Sequence, residues 1–296
     1  MCGIVGLFLK DSELRPELGA LLSQMLGVMD DRGPDSAGFA VYGESEIGRI
    51  KITVSAAATC DFSELAETLA GELKTAVSVT AHVTHGVLSV PEEREADVRA
   101  VLSRCAPELV IVGVGTRMAL FKEVGIPSTV AAHLGLERMT GSHAIGHTRM
   151  ATESAVTTAG AHPFSTGRDQ CLVHNGSLSN HHALRRELER EGLTFATDND
   201  SEVAAGYLTM RMREGRPLGD ALQCALRDLD GFYTFLVGTE SGFGVARDPI
   251  ACKPAVLAET DQYVAFASEY RALADLPGIE CARIWEPEPA TAYFWS

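Results

Sequence analysis

A cysteine directly follows the initiator methionine of this chain, and its position is as informative as its thiol. Cys2 is small enough for methionine aminopeptidase to remove Met1 in front of it. Cys2 would then carry a nucleophilic thiol together with a free α-amine that titrates near neutral pH and can accept the thiol proton. Taken alone, Cys2 is better explained as a small residue that opens a buried strand.

Four short segments further along the chain supply the groups that such a nucleophile would need. They are RGPDSAG at 32–38, GHTRMAT at 146–152, HNG at 174–176 and DNDSE at 198–202. The arginine of the second segment, Arg149, can clamp a carboxylate with two hydrogen bonds. Each segment also has a structural explanation: a plain turn, an ion pair, an Asn-Gly hairpin or a helix cap. All of them together, in this order, favour a shared site.

As a set, these motifs resemble those of the class II glutamine amidotransferases. This family includes the glutaminase domains of glutamate synthase, glucosamine-6-phosphate synthase and amidophosphoribosyltransferase. The matching stretches are CGIVG at 2–6, RGPDSAG at 32–38, GHTRMAT at 146–152, HNGSLSN at 174–180 and NDSE at 199–202. The resemblance implies an enzyme that hydrolyses L-glutamine to glutamate and ammonia.

The resemblance also implies catalytic roles for particular residues. Cys2 is the nucleophile, and its own amine carries the proton. The side chain of Asn175 and the backbone N–H of Gly176 form an oxyanion hole, in which each donor is worth about 2.7–4 kcal/mol of transition-state stabilisation. Arg32 holds the loop beside Cys2 and does not touch the substrate.

The substrate's headgroup has two implied anchors of opposite charge. Arg149, helped by Thr152, binds the α-carboxylate of glutamine, and Asp200 takes the α-ammonium. The sequence departs from the family pattern beside the first anchor, which weakens any detailed prediction about a lid over the glutamine. The departing residues are Met150, Glu153 and Ser154.

The pattern of short strands and clustered helices predicts an α+β fold. Strand signals dominate residues 1–54 and the chain from 142 onward, whereas helices and strands alternate in between. With the family resemblance, we expect a four-layer αββα N-terminal-nucleophile hydrolase sandwich. Residues 1–296 then form one class II glutamine amidotransferase domain, with an inserted α/β subdomain at about 55–141. That insertion is a candidate docking surface or a purely structural addition.

The composition excludes several classes of partner. The net charge of −15 argues against a nucleic-acid groove or an anionic membrane surface. No apolar run approaches the roughly 20 residues that span a bilayer. The first ten residues do not resemble a secretory signal, so we expect a cytoplasmic protein. The seven cysteines form no CxxC pair, and we predict no metal site and no cofactor in this chain.

The family resemblance further implies a partner chain. Class II amidotransferases normally fuse the glutaminase to a synthase domain that consumes the ammonia, and the sequence shows no segment for one. We therefore expect a hetero-oligomer with glutamate synthase-like subunits, which would carry any flavin or iron–sulfur group. The opening MCGIVGLFLKD looks similar to the small subunit of N-methylglutamate synthase. Two alternatives stay open: an N-terminal-nucleophile acylase or peptidase that cuts another amide, and a non-catalytic glutamine-sensing subunit.

Overall fold

A computed structural model describes residues 2–150 and 156–296. The strands in these ranges are β1 (Gly3–Leu9), β2 (Ser36–Tyr42), β3 (Arg49–Ser55), β4 (Ser78–His82), β5 (His85–Pro91), β6 (Val110–Gly115), β7 (Met118–Val124), β8 (His143–Arg149), β9 (Phe164–Gly167), β10 (Gln170–Leu178), β11 (Gly231–Thr239), β12 (Gly242–Arg247), β13 (Val256–Glu259), β14 (Tyr263–Ala267), β15 (Arg283–Trp285) and β16 (Thr291–Trp295). The α-helices are α1 (Leu18–Gly27), α2 (Phe62–Leu73), α3 (Glu95–Cys105), α4 (Pro127–Leu134), α5 (His181–Arg190), α6 (Asp200–Arg213) and α7 (Leu218–Asp228). Short 3-10 helices lie at Ser12–Glu17, Glu92–Arg94, Leu136–Arg138, Tyr270–Ala272 and Ile279–Cys281.

The strands of the two described ranges form three sheets. The first has seven strands in the order β15-β13-β14-β1-β8-β2-β7, and the second has five in the order β16-β12-β11-β10-β9. The third has four strands in the order β4-β5-β3-β6. Every pair of neighbouring strands within the sheets is antiparallel.

The first two sheets pack face to face and are covered by helices on their outer sides. β1 shows why, because its continuous apolar run has two buried faces. Ile4 belongs to the core between the two sheets, whereas Val5 and Leu7 belong to the core that includes α1 and α4. The helices α5, α6 and α7 bury their apolar faces in a third core, on the second sheet. The order of layers is therefore helix, sheet, sheet, helix, and the predicted four layers are confirmed.

The two sheets approach closely at a glycine of β1. A Cβ atom on Gly6 would lie 2.5 Å from a methyl carbon of Leu236 on β11. This distance is shorter than real Cβ contacts, so a larger residue at position 6 would force the side chain of Leu236 to move.

The third sheet is an insertion between two neighbouring strands of the first sheet. β2 and β7 pair antiparallel, with Tyr42 opposite Met118, and the N–H of Gly43 donates to the carbonyl of Arg117 at 3.1 Å. The chain between them forms β3 to β6, with α2 and α3 packed on the sheet in a core of their own. The inserted strands thus span residues 49–115, which differs from the predicted block at about 55–141. β7 belongs to the first sheet because it pairs with β2 along its whole length. The helix α4 packs in the core on the outer side of that sheet.

A buried histidine joins the first two sheets. His143 on β8 donates from Nε2 to the carbonyl of Thr239 at 2.8 Å, and its Nδ1 lies 2.9 Å from the hydroxyl of Ser142. Its ring stacks on Tyr42 with the ring centroids 4.1 Å apart. Since a carbonyl only accepts hydrogen bonds, Nε2 carries a proton. Burial lowers the pKa of His143 to about 3.

The depressed pKa of His143 predicts a loss of stability in acid. The unfolded chain binds a proton at this residue below pH ~6.5, but the folded chain does not bind it until pH about 3. Stability is therefore fully present above pH ~6.5 and falls as the pH falls, by about 2 kcal/mol at pH 5 from this group alone. Urea unfolding at pH 7.5 and pH 5 should show that His143→Gln, whose amide does not titrate, loses about 2 kcal/mol less than the wild type. An equal loss in both proteins would contradict the prediction.

No helix in the described parts of the chain is both long enough and apolar enough to cross a bilayer.

Candidate active site

The segment around Cys2 lies at one end of the central strands of the first sheet. Cys2 directly precedes β1, which is flanked by β14 and β8. Gly3 pairs with Thr148 on β8, and Arg149 on β8 pairs with Ser36 on β2. The predicted nucleophile and the predicted carboxylate anchor therefore lie at the same end of adjacent strands.

The backbone of Cys2 is held by two side chains from other segments. Its carbonyl oxygen accepts a hydrogen bond from Nδ2 of Asn175 at 3.2 Å and another from Nε of Arg32 at 3.2 Å. The next N–H, that of Gly3, donates to Oγ1 of Thr148 at 3.1 Å. Cys2 itself is partly exposed. These contacts fix the backbone while they leave the residue open to a small molecule.

Arg32 is itself held by a residue that lies outside the sequence motifs described above. Its Nη1 forms an ion pair with Glu269, which lies just after β14. The following residue, Gly33, packs against the backbone of β8, where a Cβ atom would lie 2.6 Å from the backbone nitrogen of Arg149. The RGPDSAG segment is thus pressed against both the start of β1 and the end of β8.

Asn175 and Gly176 lie on β10 of the second sheet, opposite Thr234 and Tyr233 of β11. The backbone of Gly176 has φ +150°, a value that side chains with a Cβ rarely adopt. A Cβ atom there would also lie 2.0 Å from the carbonyl oxygen of Phe232. Glycine at 176 is therefore required by both conformation and space.

Arg149 is the last residue of β8, and only 7% of its surface is exposed. Its carbonyl accepts from the N–H of Asp35 at 3.1 Å. Its Nη1 lies 3.3 Å from where a Cβ atom on Gly160 would be, so the segment before β9 packs against the guanidinium. Thr152, its predicted helper, lies outside the described residues.

Asp200 is the first residue of α6, where the partial positive charge of the helix favours a carboxylate. The helix is capped by Asn199, whose side chain accepts from the N–H of Ser201 at 2.9 Å. Oδ2 of Asp200 accepts from the N–H of Leu178 on β10 at 2.9 Å. This bond ties the predicted ammonium anchor to the strand that carries Asn175 and Gly176.

Three buried histidines accompany these residues, and the sequence motifs predicted no role for them. His147 stacks on His162 with the ring centroids 4.0 Å apart, and its Nε2 lies 3.0 Å from the carbonyl of His174. Burial lowers the pKa of His147 to about 3 and lowers the pKa values of His162 and His174 as well. All three are therefore neutral near pH 7. His147 belongs to the GHTRMAT motif and His174 to the HNG motif, so their place in these motifs was the feature of the sequence that could have identified them.

The described residues contain no group of three or more His, Cys, Asp or Glu that could hold a metal ion. The structure brings Cys2, Asn175 and Arg32 into direct contact, and links Asp200 to the same strand as Asn175. Arg149 lies one residue beyond Thr148, which contacts Gly3. The arrangement offers a thiol, an amide donor and two opposite charges.

Known proteins share both the sequence and the fold. A family model described as a glutamine amidotransferase domain matches residues 147–275. The glutamine amidotransferase-like protein GlxB of Rhizobium meliloti (strain 1021) is 64% identical over 296 residues, which cover 100% of this chain and 98% of that protein. A putative glutamine amidotransferase of Methanothermobacter thermautotrophicus is 33% identical over 287 residues, which cover 93% of this chain and 94% of that one.

A solved structure of glutamine phosphoribosylpyrophosphate amidotransferase from B. subtilis aligns with a TM-score of 0.63 at 21% identity. The alignment covers 99% of this chain but only 47% of that one, so this chain spans about half the length of that protein. This likeness confirms the predicted α+β sandwich fold.

Proposed function

Because this chain belongs to the glutamine amidotransferase family, we propose that it hydrolyses L-glutamine at Cys2 and supplies the ammonia to a separate synthase chain. The observation that carries the first half is the contact between the carbonyl of Cys2 and Nδ2 of Asn175, 3.2 Å apart. It joins the start of the first sheet to β10 of the second, and so unites a nucleophile with a donor for a developing oxyanion.

The proposed reaction is an acyl transfer through a thioester. The thiol of Cys2 gives its proton to the α-amine freed by removal of Met1, and the sulfur attacks the side-chain carbonyl carbon of glutamine. The oxygen becomes negative and accepts hydrogen bonds from Asn175 and from the N–H of Gly176. The α-amine returns the proton to the leaving nitrogen, and ammonia departs. Water then cleaves the thioester, which releases glutamate and restores the thiol.

The two charged anchors favour a free amino acid as the substrate. Arg149 can bind a carboxylate with two hydrogen bonds, and Asp200 can accept from an ammonium. A peptide or an acyl amide lacks one or both of the charged groups that these two residues can bind. Glutamine therefore fits better than the amides that an acylase or peptidase of this fold would cut.

The partner is proposed from the lengths of the relatives and from the chemistry of the product. The two curated relatives match over 98% and 94% of their own lengths, whereas the phosphoribosylpyrophosphate enzyme is about twice as long. Ammonia released into water is protonated and lost as a nucleophile, so a synthase must receive it directly. We propose a glutamate synthase-like or N-methylglutamate synthase assembly in the cytoplasm, with any flavin or iron–sulfur group on the partner chains.

Purification of the tagged chain from its native cell tests both halves of the proposal. We expect glutamine hydrolysis by the isolated chain to be slow, and to rise when synthase subunits that co-purify with it are added back. The mass of the intact protein should correspond to a chain that starts at Cys2. An engineered chain with one alanine inserted before Cys2 is the matched control, since it keeps the thiol but moves the α-amine away from it.

Different results would overturn different halves. A lone chain at full activity with no associated subunit would remove the partner from the proposal. A processed chain that binds glutamine without hydrolysing it, with or without its partners, would instead favour the sensing subunit.

A further inference from the structure

His174 occupies a central place in the site although it has no role in the acyl transfer. It precedes Asn175 on β10, and only 3% of its surface is exposed. Its carbonyl oxygen accepts from Nε2 of His147 at 3.0 Å, which fixes the backbone at this point. Its ring packs edge-on against Phe235 with the centroids 5.1 Å apart. The imidazole is therefore held in one orientation by the backbone and by packing.

The Nδ1 atom of His174 faces the helix that begins with Asp200. It lies 2.8 Å from Oγ of Ser201 and 3.8 Å from Oδ1 of Asp200. The hydroxyl of Ser201 in turn donates to Oδ1 of Asp200 at 3.4 Å. A row of three polar groups thus runs from β10 to the carboxylate that is proposed to take the α-ammonium of glutamine.

The order of donors in this row follows from the single proton of the serine hydroxyl. If Ser201 donates to Asp200, its oxygen must accept from His174, so the proton of the imidazole lies on Nδ1. The opposite tautomer would direct the lone pair of Nδ1 toward a carboxylate and would leave a buried N–H at Nε2 without an acceptor. Nε2 has no hydrogen-bond partner in the described structure. Nδ1 of His174 therefore donates to Oγ of Ser201, and the hydroxyl of Ser201 donates to Oδ1 of Asp200.

We propose that His174 and Ser201 form a positioning pair that orients the Asp200 carboxylate for the α-ammonium of the substrate, an inference that rests on the proposed function. Oδ2 of Asp200 is already held by the N–H of Leu178 at 2.9 Å. The pair holds the other oxygen, so rotation of the carboxylate is blocked on both sides. Because His174 is bonded directly to Asn175, the ammonium anchor and the oxyanion donor are set by one stretch of backbone.

The pair acts as a neutral dipole and not as a charged relay. Burial lowers the pKa of His174 despite the opposing effect of the nearby Asp200 carboxylate, and the positive charge of Lys253 lowers it further. The pair therefore places no cation beside the Asp200 carboxylate.

Two matched pairs of variants separate positioning from packing. Ser201→Ala breaks the row, whereas Ser201→Thr keeps a hydroxyl. His174→Asn places an amide N–H near the position of Nδ1, whereas His174→Gln places it near Nε2. We expect Ser201→Ala and His174→Gln to raise KM for glutamine about tenfold with kcat changed less than threefold, because the ammonium contact is equally present in the ground state and the transition state. The threonine and asparagine variants should stay within about threefold of the wild-type KM.

A substrate without the α-ammonium provides the decisive comparison. Glutaramate, which is glutamine without its α-amino group, should be hydrolysed by Ser201→Ala and by the wild type with the same kcat/KM, since it makes no contact that the pair supports. Alkylation of Cys2 by iodoacetamide should also be unchanged in rate. Equal losses of activity toward glutamine and glutaramate would assign the pair a purely structural role and would overturn the proposal, as would equal KM values for the asparagine and glutamine variants.

Binding of L-glutamate distinguishes failure of this inference from failure of the proposed function. Glutamate carries the same headgroup and needs no hydrolysis, so it should bind the wild type and bind Ser201→Ala about tenfold more weakly. A wild-type chain that neither binds glutamate nor hydrolyses glutamine would refute the proposed function. A wild-type chain that does both, with unchanged binding by Ser201→Ala, would refute only the positioning pair.

Discussion

Replacing Cys2 with alanine should reduce glutamine hydrolysis to the background rate, a loss on the order of 10⁶-fold as judged from the removal of other catalytic nucleophiles. The sulfur of this thiol is the atom that forms the thioester in the proposed reaction. The fold should survive, because Cys2 precedes β1 and is partly exposed. Initial rates of ammonia release and a thermal melt of the same sample measure both effects.

Covalent labelling with a glutamine-like electrophile supplies the control for this prediction. Such a reagent needs the headgroup anchors as well as a thiol, so it should modify Cys2 and leave exposed cysteines unmodified. Cys252 is exposed and provides the matched variant, since Cys252→Ala should be labelled as fast as the wild type. Cys171 is an unreactive internal reference, because burial raises its pKa to about 12. Labelling and hydrolysis that both persist in Cys2→Ala would refute the assignment.

The sequence predicted the layers of the fold because the pattern of burial is local. Ile4 and Val5 are both apolar, and a run of this kind is typical of a strand with helices on one side and a sheet on the other. The order of the motifs then identified the family. The start of α6 was also predictable, since Asn199 and Asp200 are of the types that cap and begin helices.

The boundaries of the insertion could not be predicted from local pattern alone. β7 resembles the strands of the inserted sheet in composition. It belongs to the first sheet because it pairs with β2, although residues 43–117 lie between the two strands. Such pairing joins strands that are far apart in the sequence, and it depends on which strand of the sheet has an unpaired edge. The local sequence pattern therefore does not predict it. The ion pair between Glu269 and Arg32 could not be predicted for the same reason, because the two residues are far apart in the sequence and Glu269 belongs to no motif.

The role of His174 illustrates a different limit. The HNG motif predicts a role for Asn175 and Gly176, because a side-chain amide and a backbone N–H can both donate to an oxyanion. A histidine beside them suggests general acid–base catalysis, yet burial keeps its pKa low and its Nδ1 faces Ser201. The proposed role of His174 in orienting Asp200 rests on the orientation of its ring, which depends on packing between β10 and α6.

Replacing Asn175 with alanine should lower kcat by about 10²–10³-fold, the effect of removing one oxyanion donor in other acyl-transfer enzymes. KM should change little, because the oxygen of the substrate becomes negative only in the transition state. Steady-state kinetics with glutamine measures both constants. Asn175→Asp keeps the size of the side chain but places an acceptor where the donor was, so it should be at least as impaired.

Asn175 also holds the backbone of Cys2, and Arg32 separates that effect from oxyanion stabilisation. Nδ2 of Asn175 and Nε of Arg32 both donate to the carbonyl of Cys2 at 3.2 Å. If Asn175 acted only by holding Cys2, then Arg32→Met, which removes the other hydrogen bond, should lower kcat by a similar factor. We expect the loss for Arg32→Met to be at least tenfold smaller, since Arg32 pairs with Glu269 and is not a proposed donor to the oxyanion. Equal losses in the two variants would assign Asn175 to positioning and leave the N–H of Gly176 as the oxyanion donor.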